Sequence, residues 1–147
     1  MGALLLSSGC PGPSASDGDP WIELGVGRQA WEPFGEDAEL VFGSQGGWHV
    51  DLALRFGGWE PDELALEYLA VDVETDEQVS YLTTAVLSEA SVLVGDDAWE
   101  RVGDRVVFEI ESDDEVLGRA VRFEVVATHG EVELEDEATA NVVDEVP

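Results

Sequence analysis

Residues 48–56 read WHVDLALRF, and apolar side chains alternate with the others along the whole stretch. One row consists of Trp48, Val50, Leu52, Leu54 and Phe56, and the other of His49, Asp51, Ala53 and Arg55. A period of two is typical of a β-strand that lays one face on a core. The stretch therefore predicts a strand with Trp48 at the end of the core and with His49 and Asp51 on the outward face.

The same period recurs nearer the C-terminus, at residues 69–73, 106–110, 121–128 and 132–142. Asp136 interrupts the last apolar row, and His129-Gly130 predicts a tight hairpin turn before it. Weaker strand candidates lie at 21–26, 38–42, 79–87 and 91–94. The side chains predicted to face the core are Val50, Leu52, Leu54, Leu69, Val71, Val106, Phe108, Phe123, Val125 and Leu134.

Short strands at roughly ten-residue spacing are typical of a β-sandwich. No twelve-residue segment shows a clean helical period, and strands do not alternate with helices, which argues against a parallel sheet. We therefore expect an all-β domain over residues 21–147, an antiparallel two-sheet sandwich of seven to nine strands with an immunoglobulin-like architecture. The cysteine and tryptophan pattern of antibody domains is absent, so the expectation concerns architecture alone.

The first ten residues, MGALLLSSGC, hold the only cysteine, and a run rich in Pro, Gly, Ser and Asp follows at 11–20. This layout resembles the end of a bacterial lipoprotein signal peptide, in which Cys10 would carry the lipid. No basic residue precedes Cys10, and Ser7 stands where Leu is usual, which suggests that the true start lies upstream. Residues 1–20 are thus predicted to be a truncated signal and a tether; the alternative is a disordered N-terminus with a chance cysteine.

Residues 43–49 read GSQGGWH. They resemble a G-x-Q-G-G-aromatic-His motif of uncharacterised secreted and lipid-anchored proteins from myxobacteria and their relatives. The resemblance implies a β-sandwich in the cell envelope, with the motif between two early strands, and it implies no activity. Independently, a turn that feeds a buried strand predicts a positive φ at Gly46 or Gly47, because glycine lacks a Cβ. The residues of this predicted structural turn are Gly43, Gln45, Gly46, Gly47, Trp48 and His49.

The chain carries a net charge of −28, with six Arg and no Lys. Nucleic acids and anionic lipid surfaces are therefore disfavoured partners, because no basic patch can neutralise their phosphates. No apolar run approaches the roughly 18 residues that span a bilayer, so membrane attachment is expected only through a lipid on Cys10. The expected location is the cell envelope, anchored to a bacterial membrane and facing either the periplasm or the outside.

Three sets of residues are candidate ligand contacts. His49 and Asp51, two positions apart on one strand face, can begin a zinc or copper site. The acidic turns at 17–19, 96–97 and 113–115 offer oxygen ligands for calcium. Trp59 and Trp99 lie beside turns, where they are expected to be exposed and able to stack on sugars.

The leading functional expectation is a non-catalytic, lipid-anchored envelope module that binds a protein or glycan or has a structural role. The alternative is a calcium- or transition-metal-binding module, and a small hydrolase is third. Catalytic motifs such as G-x-S-x-G and H-E-x-x-H do not occur, and paired carboxylates carry little information in a chain with 34 acids. No cofactor is predicted, and a monomer is expected.

Overall fold

The computed structural model of this chain describes residues 18–43, 47–95 and 97–144. The described residues form ten strands and two short 3-10 turns, the latter at Glu89–Ser91 and Asp113–Glu115. The strands are β1 Trp21–Val26, β2 Asp37–Glu39, β3 Val41–Gly43, β4 Gly47–Gly57, β5 Ala65–Asp72, β6 Thr83–Val86, β7 Leu93–Val94, β8 Trp99–Val107, β9 Ala120–His129 and β10 Val132–Val143. Within this part of the chain, no helix has the length and apolar character needed to span a bilayer.

The strands form two five-stranded sheets. Sheet I has the order β1-β4-β8-β7, with β3 also paired to β4, and sheet II has the order β2-β10-β9-β5-β6. β1 therefore lies in sheet I. The chain then crosses to sheet II, where β2 pairs in parallel with β10. The remaining assigned pairings between the described strands are antiparallel.

This strand order matches the immunoglobulin-type sandwich, in which the first, second, fifth and fourth main strands share one sheet. The predicted all-β sandwich is therefore confirmed. Ten strands are described rather than seven to nine, because the single candidate at 38–42 is divided into β2 and β3, which pair in different sheets.

The core lies between the sheets, and most of the predicted inward rows fill it. The predicted inward residues of β4, β8 and β9 are at most 2% exposed, as is Phe108 just after β8, while Leu134 is only partly buried. On β5 the predicted phase is wrong. Leu66, Tyr68 and Ala70 face the core, Leu69 is half-buried, and Val71 is buried on the other face. Both rows of β5 are largely apolar, so the alternation alone does not identify the inner one.

The β9–β10 hairpin turns one residue later than predicted. His129 pairs with Val132, so the loop residues are Gly130 and Glu131. Gly130 has a φ of +62°, and a positive φ at the first loop position is what the favoured two-residue hairpin turns require.

Asp136, which interrupts the apolar row of β10, ties the two sheets together at one flank. Its Oδ2 accepts a hydrogen bond of 2.8 Å from the backbone N–H of Leu24 on β1. Nearby, the N–H of Leu40 donates to the carbonyl of Val143 at 2.8 Å. The flank formed by β1, β2 and β10 is therefore closed by backbone pairing and by one inward carboxylate.

A second polar connection crosses the core. The hydroxyl of Tyr68 on β5 donates to Oδ2 of Asp104 on β8 at 2.7 Å, and Arg101 donates to Oδ1 of the same carboxylate at 2.8 Å. Tyr68 is fully buried and Asp104 is 6% exposed. Burial and the neighbouring Asp104 carboxylate raise the pKa of Tyr68 well above its usual value, so its hydroxyl remains a donor. A buried carboxylate is tolerable here because it is both paired and hydrogen-bonded.

Replacing Tyr68 by Phe should destabilise the protein. The change leaves Asp104 with one donor fewer inside the core, which typically costs about 1–3 kcal/mol. Tyr81→Phe removes the same atom from a side chain that is 54% exposed and should change stability by less than about 0.5 kcal/mol. Urea unfolding of both variants measures the difference, and equal losses would contradict the role given to Tyr68.

Candidate functional site

The outer face of β4 is covered rather than open to solvent. His49 is 4% exposed, Asp51 8% and Ala53 0%, although all three lie on the row that points away from the core. The predicted direction of His49 and Asp51 is thus correct, but treating His49 as a peripheral, outward residue was wrong. Part of the cover comes from the connection after β1, which brings Arg28 to Asp51, and β3 lies beside His49, where a Cβ on Gly43 would stand 3.6 Å from the imidazole ring.

Trp31 provides part of this cover by lying against Gly25. A Cβ on Gly25 would stand 2.3 Å from the Trp31 indole nitrogen, so only glycine allows the ring to approach so closely. The same nitrogen donates a hydrogen bond of 3.1 Å to the carbonyl of Glu23. This contact fixes the connection on the outside of sheet I.

His49, Asp51 and Arg28 form a chain of polar contacts on the outer face of sheet I. His49 Nε2 lies 3.4 Å from Asp51 Oδ1, and Arg28 Nε lies 3.6 Å from Asp51 Oδ2. Burial lowers the pKa of His49; Asp51 opposes this shift, and Arg105 and Arg28 add to it. His49 is therefore expected to be neutral at pH 7.

The predicted zinc or copper site does not gain further ligands in the described part of the chain. There, no three His, Cys, Asp or Glu side chains converge in a way that could hold a metal ion. The third member of the His49–Asp51 group is the guanidinium of Arg28, which pairs with the carboxylate that a metal would need. The geometry supports an ion pair at this position, in which Asp51 is buried and the Arg28 side chain remains 66% exposed.

The acidic turn at 113–115 uses its carboxylates locally. Glu115 Oε2 accepts the N–H groups of Glu111 at 2.8 Å and Ser112 at 2.9 Å, and Asp114 accepts the hydroxyl of Ser112. These contacts cap a short 3-10 turn. In the other two candidate calcium turns, residues 17 and 96 lie outside the described residues.

Of the predicted turn at 43–49, Gln45 and Gly46 also lie outside the described residues. Gly43 and Gly47 face each other as the last pair between β3 and β4. Gly47 has no left-handed φ, so the predicted positive φ can now concern only Gly46. Trp48 is partly buried against the core, and its ring centroid lies 4.9 Å from that of Phe42.

Trp59 and Trp99 are buried, so the prediction that they are exposed was wrong. Trp59 is 7% exposed and Trp99 is 3% exposed. The ring of Trp59 stacks on that of His129, with centroids 5.9 Å apart, and His129 Nε2 lies 3.2 Å from the carbonyl of Asp62. Trp99 is the first residue of β8, and both tryptophans belong to the hydrophobic core, which local sequence does not reveal.

A cavity of about 500 Å³ opens at a gap in the edge of β4. β1 covers residues 52–57 of that edge and β3 covers residues 47–49, which leaves Val50 and Asp51 between them. The volume suits a small molecule. Its charged lining is mainly acidic, with Glu32, Asp37, Glu39 and Asp51 against Arg28, so it disfavours anions.

A second group, which we call the Trp21 cluster, consists of Trp21, Glu23, Trp31 and Arg55 on the outer face of sheet I. Glu23 lies directly opposite Arg55 in the β1–β4 register, and Arg55 Nη2 lies 2.6 Å from Glu23 Oε1. The guanidinium carbon is 4.2 Å from the centroid of Trp31 and 5.9 Å from that of Trp21. Trp21 is 36% exposed.

This cluster was not predicted from the sequence. Trp21 and Glu23 alternate within a weak strand candidate, and Arg55 lies on the outward row of 48–56. These facts place each residue on an outer face, but only the pairing of β1 with β4 brings them together. The cluster combines the apolar face of an indole ring with the N–H donors of a guanidinium and the acceptor oxygens of a carboxylate.

The buried position of His49 predicts a pH dependence of stability. Its folded pKa lies below its ordinary value of about 6.5, so the unfolded state binds more protons as pH falls. The stabilising effect is present above pH 6.5 and is lost as pH falls from 6.5 through the folded pKa. Replacing His49 by Gln should therefore flatten the fall in unfolding free energy between pH 7 and pH 5.5.

Urea titrations at several pH values measure this slope. His129→Gln removes the other histidine and separates its contribution from that of His49. An unchanged slope in His49→Gln would contradict a buried neutral imidazole.

No protein-family model matches this chain, and no curated protein sequence matches it significantly. The resemblances to lipoprotein signals and to the G-x-Q-G-G-aromatic-His proteins therefore stay predictions.

Proposed function

We propose that this chain is a non-catalytic module of the bacterial cell envelope, anchored by a lipid on Cys10, that binds a glycan through the Trp21 cluster. The observation that carries the proposal is the partly exposed ring of Trp21 beside the ion pair of Arg55 and Glu23. The apolar face of a sugar ring packs on an indole, while its hydroxyl groups hydrogen-bond to a guanidinium and a carboxylate.

The residues that hold the Trp21 cluster in place favour a binding role. The Arg55 guanidinium lies over the indole ring of Trp31. The backbone N–H of Trp31 in turn donates to Glu100 Oε1, with a nitrogen–oxygen distance of 3.4 Å. The Arg55–Glu23 pair is therefore placed before a ligand arrives, which reduces the entropy lost on binding. A carboxylate held in an ion pair is suited to accept hydrogen bonds.

The net charge of the chain restricts the class of glycan that it can bind. With a net charge of −28, the chain repels polyanionic polysaccharides. A neutral glycan, or one that carries free amino groups, fits better. The cavity at the β4 edge is not part of the proposal, because the residues described around it include no aromatic side chain.

The position of Trp21 in the chain sets where the glycan must lie. Trp21 begins β1 and follows the predicted tether at 11–20 directly. Eleven residue steps from Cys10 reach at most about 40 Å when fully extended. The proposed ligand is therefore a glycan close to the membrane that holds the lipid.

Replacing Trp21 by Ala should weaken binding to neutral cell-wall glycans at least tenfold, because the stacking surface is lost. Binding is measured on an array of purified peptidoglycan fragments and neutral bacterial polysaccharides. Phe42→Ala is the matched control, since Phe42 is an aromatic side chain on another short strand of sheet I and is 60% exposed. It should change binding less than twofold.

Two results would contradict the glycan proposal: full binding by Trp21→Ala, or an equal loss in Phe42→Ala. Far-UV spectra and thermal melts of both variants establish that each is folded. If no glycan on the array binds, the glycan-binding proposal is contradicted. The prediction of a lipid anchor on Cys10 is unaffected by that result.

Expression of the native gene with its own 5′ region in a bacterial host should give a protein that incorporates labelled palmitate and fractionates with membranes. Cys10→Ala should lose the label and enter the soluble fraction, because Cys10 is the only cysteine. Label retained in Cys10→Ala, or no label in the parent protein, would contradict the anchor.

A further inference from the structure

The cavity at the β4 edge borders a buried carboxylate whose acceptor positions are incompletely used. Asp51 lines this cavity and is 8% exposed. Its carboxylate oxygens lie 3.4 Å from His49 Nε2 and 3.6 Å from Arg28 Nε. Both distances exceed the roughly 2.7–3.2 Å of an N–H···O hydrogen bond. Within the described part of the chain, the carboxylate is therefore in an ion pair but accepts no hydrogen bond of ordinary length.

Two other buried aspartates show how this protein usually satisfies such a group. Asp72 is 4% exposed and accepts backbone N–H groups of the turn that follows it, the nearer at 2.8 Å. Asp104 is 6% exposed and accepts the Tyr68 hydroxyl at 2.7 Å and Arg101 Nη2 at 2.8 Å. Buried polar groups are normally hydrogen-bonded. The open acceptor positions of Asp51 therefore call for a donor, and they border a cavity that can hold one.

The rest of the cavity lining restricts which donor fits. Apolar side chains, among them Val26, Val41 and Val50, form part of the wall. Glu32 and Glu39 also line the cavity and are exposed. A ligand therefore meets one buried carboxylate, an aliphatic surface and further carboxylates nearer the solvent. This combination suits an organic cation with an aliphatic body.

We propose that this cavity binds a small aliphatic diamine, with one ammonium group on Asp51 and the other on the exposed carboxylates. An ammonium group has three N–H donors and no acceptor, so it supplies what the Asp51 carboxylate lacks. The aliphatic wall favours an organic cation over a bare metal ion, which prefers several oxygen ligands around it. The net charge of −28 raises the local concentration of any cation near the cavity.

Arg28 is a weak competitor for the same carboxylate. Its side chain is 66% exposed, and its Nε lies 3.6 Å from Asp51 Oδ2, so it can turn into solvent when an ammonium group arrives. The backbone of this segment is held separately. Gly27 N–H donates to the Asp51 carbonyl at 3.2 Å, and Gly103 N–H donates to the Gly27 carbonyl at 2.8 Å. The wall of the cavity therefore stays in place, and diamine binding does not depend on the glycan.

The test is isothermal titration calorimetry of the full chain carrying Cys10→Ala with 1,4-diaminobutane, in about 150 mM NaCl to screen non-specific attraction. We expect one saturable site. Asp51→Asn should raise the dissociation constant at least tenfold, because the amide carries no charge. Asp72→Asn is the matched control, since Asp72 is also buried and paired with an arginine, and it should stay within twofold. Arg28→Ala should lower the dissociation constant at least twofold, because the competitor is removed.

A second probe separates hydrogen bonding from charge. The fully N-methylated diamine has the same two charges and no N–H donor, and it should bind at least tenfold more weakly. Equal binding of both probes, equal losses in Asp51→Asn and Asp72→Asn, or no saturable binding would overturn the proposal. Displacement of the diamine by an equal concentration of magnesium chloride would also overturn it and assign the cavity to a metal ion. If thermal melts show that Asp51→Asn is unfolded, Arg28→Ala decides, and unchanged or weaker binding by that variant contradicts the site.

Discussion

Strand β4 is buried on both faces, and the rest of the domain is arranged around that constraint. Its inner row, including Leu52 and Leu54, fills the core between the sheets, while its outer row includes the buried His49 and Asp51. Charged and polar groups tolerate burial only when they are paired. The connection from β1 to β2 therefore crosses the outside of sheet I, where Arg28 lies 3.6 Å from Asp51. The same crossing places the next strand in sheet II, which produces the immunoglobulin-type order.

Five of the six arginines lie within ion-pair distance of one or more carboxylates in the described part of the chain. Arg101 pairs with Asp104 inside the core, Arg119 with Asp72 at an edge, and Arg122 with Glu124 on the surface. Because only six cations face 34 acids, most of the surface keeps its negative charge. Against that background, the Trp21 cluster offers an aromatic face beside an ion pair, and the proposed function rests on it.

The long strands could be predicted from the sequence because one row is apolar and the other is not. Along β10, Glu133, Glu135 and Glu137 mark the outer face without ambiguity. β5 lacks this contrast, so its phase depends on which row meets the opposite sheet, and Leu69 and Val71 were assigned to the wrong side. Burial of Trp59 and Trp99 depends on how the two sheets pack together. The pairing of Arg55 with Glu23 depends on strand register, which the sequence does not encode locally.

The central claim, that β4 is held on both faces, is tested most directly by native-state hydrogen exchange. Amides of residues 52–56, where β1 and β8 flank the strand, should exchange only through global unfolding, with protection equal to the unfolding free energy measured in urea. Amides at the tip of the β9–β10 hairpin, residues 129–132, should exchange far faster through local opening. Exchange of residues 52–56 at the rate of the hairpin tip would contradict the account, because a strand covered on both sides cannot open alone.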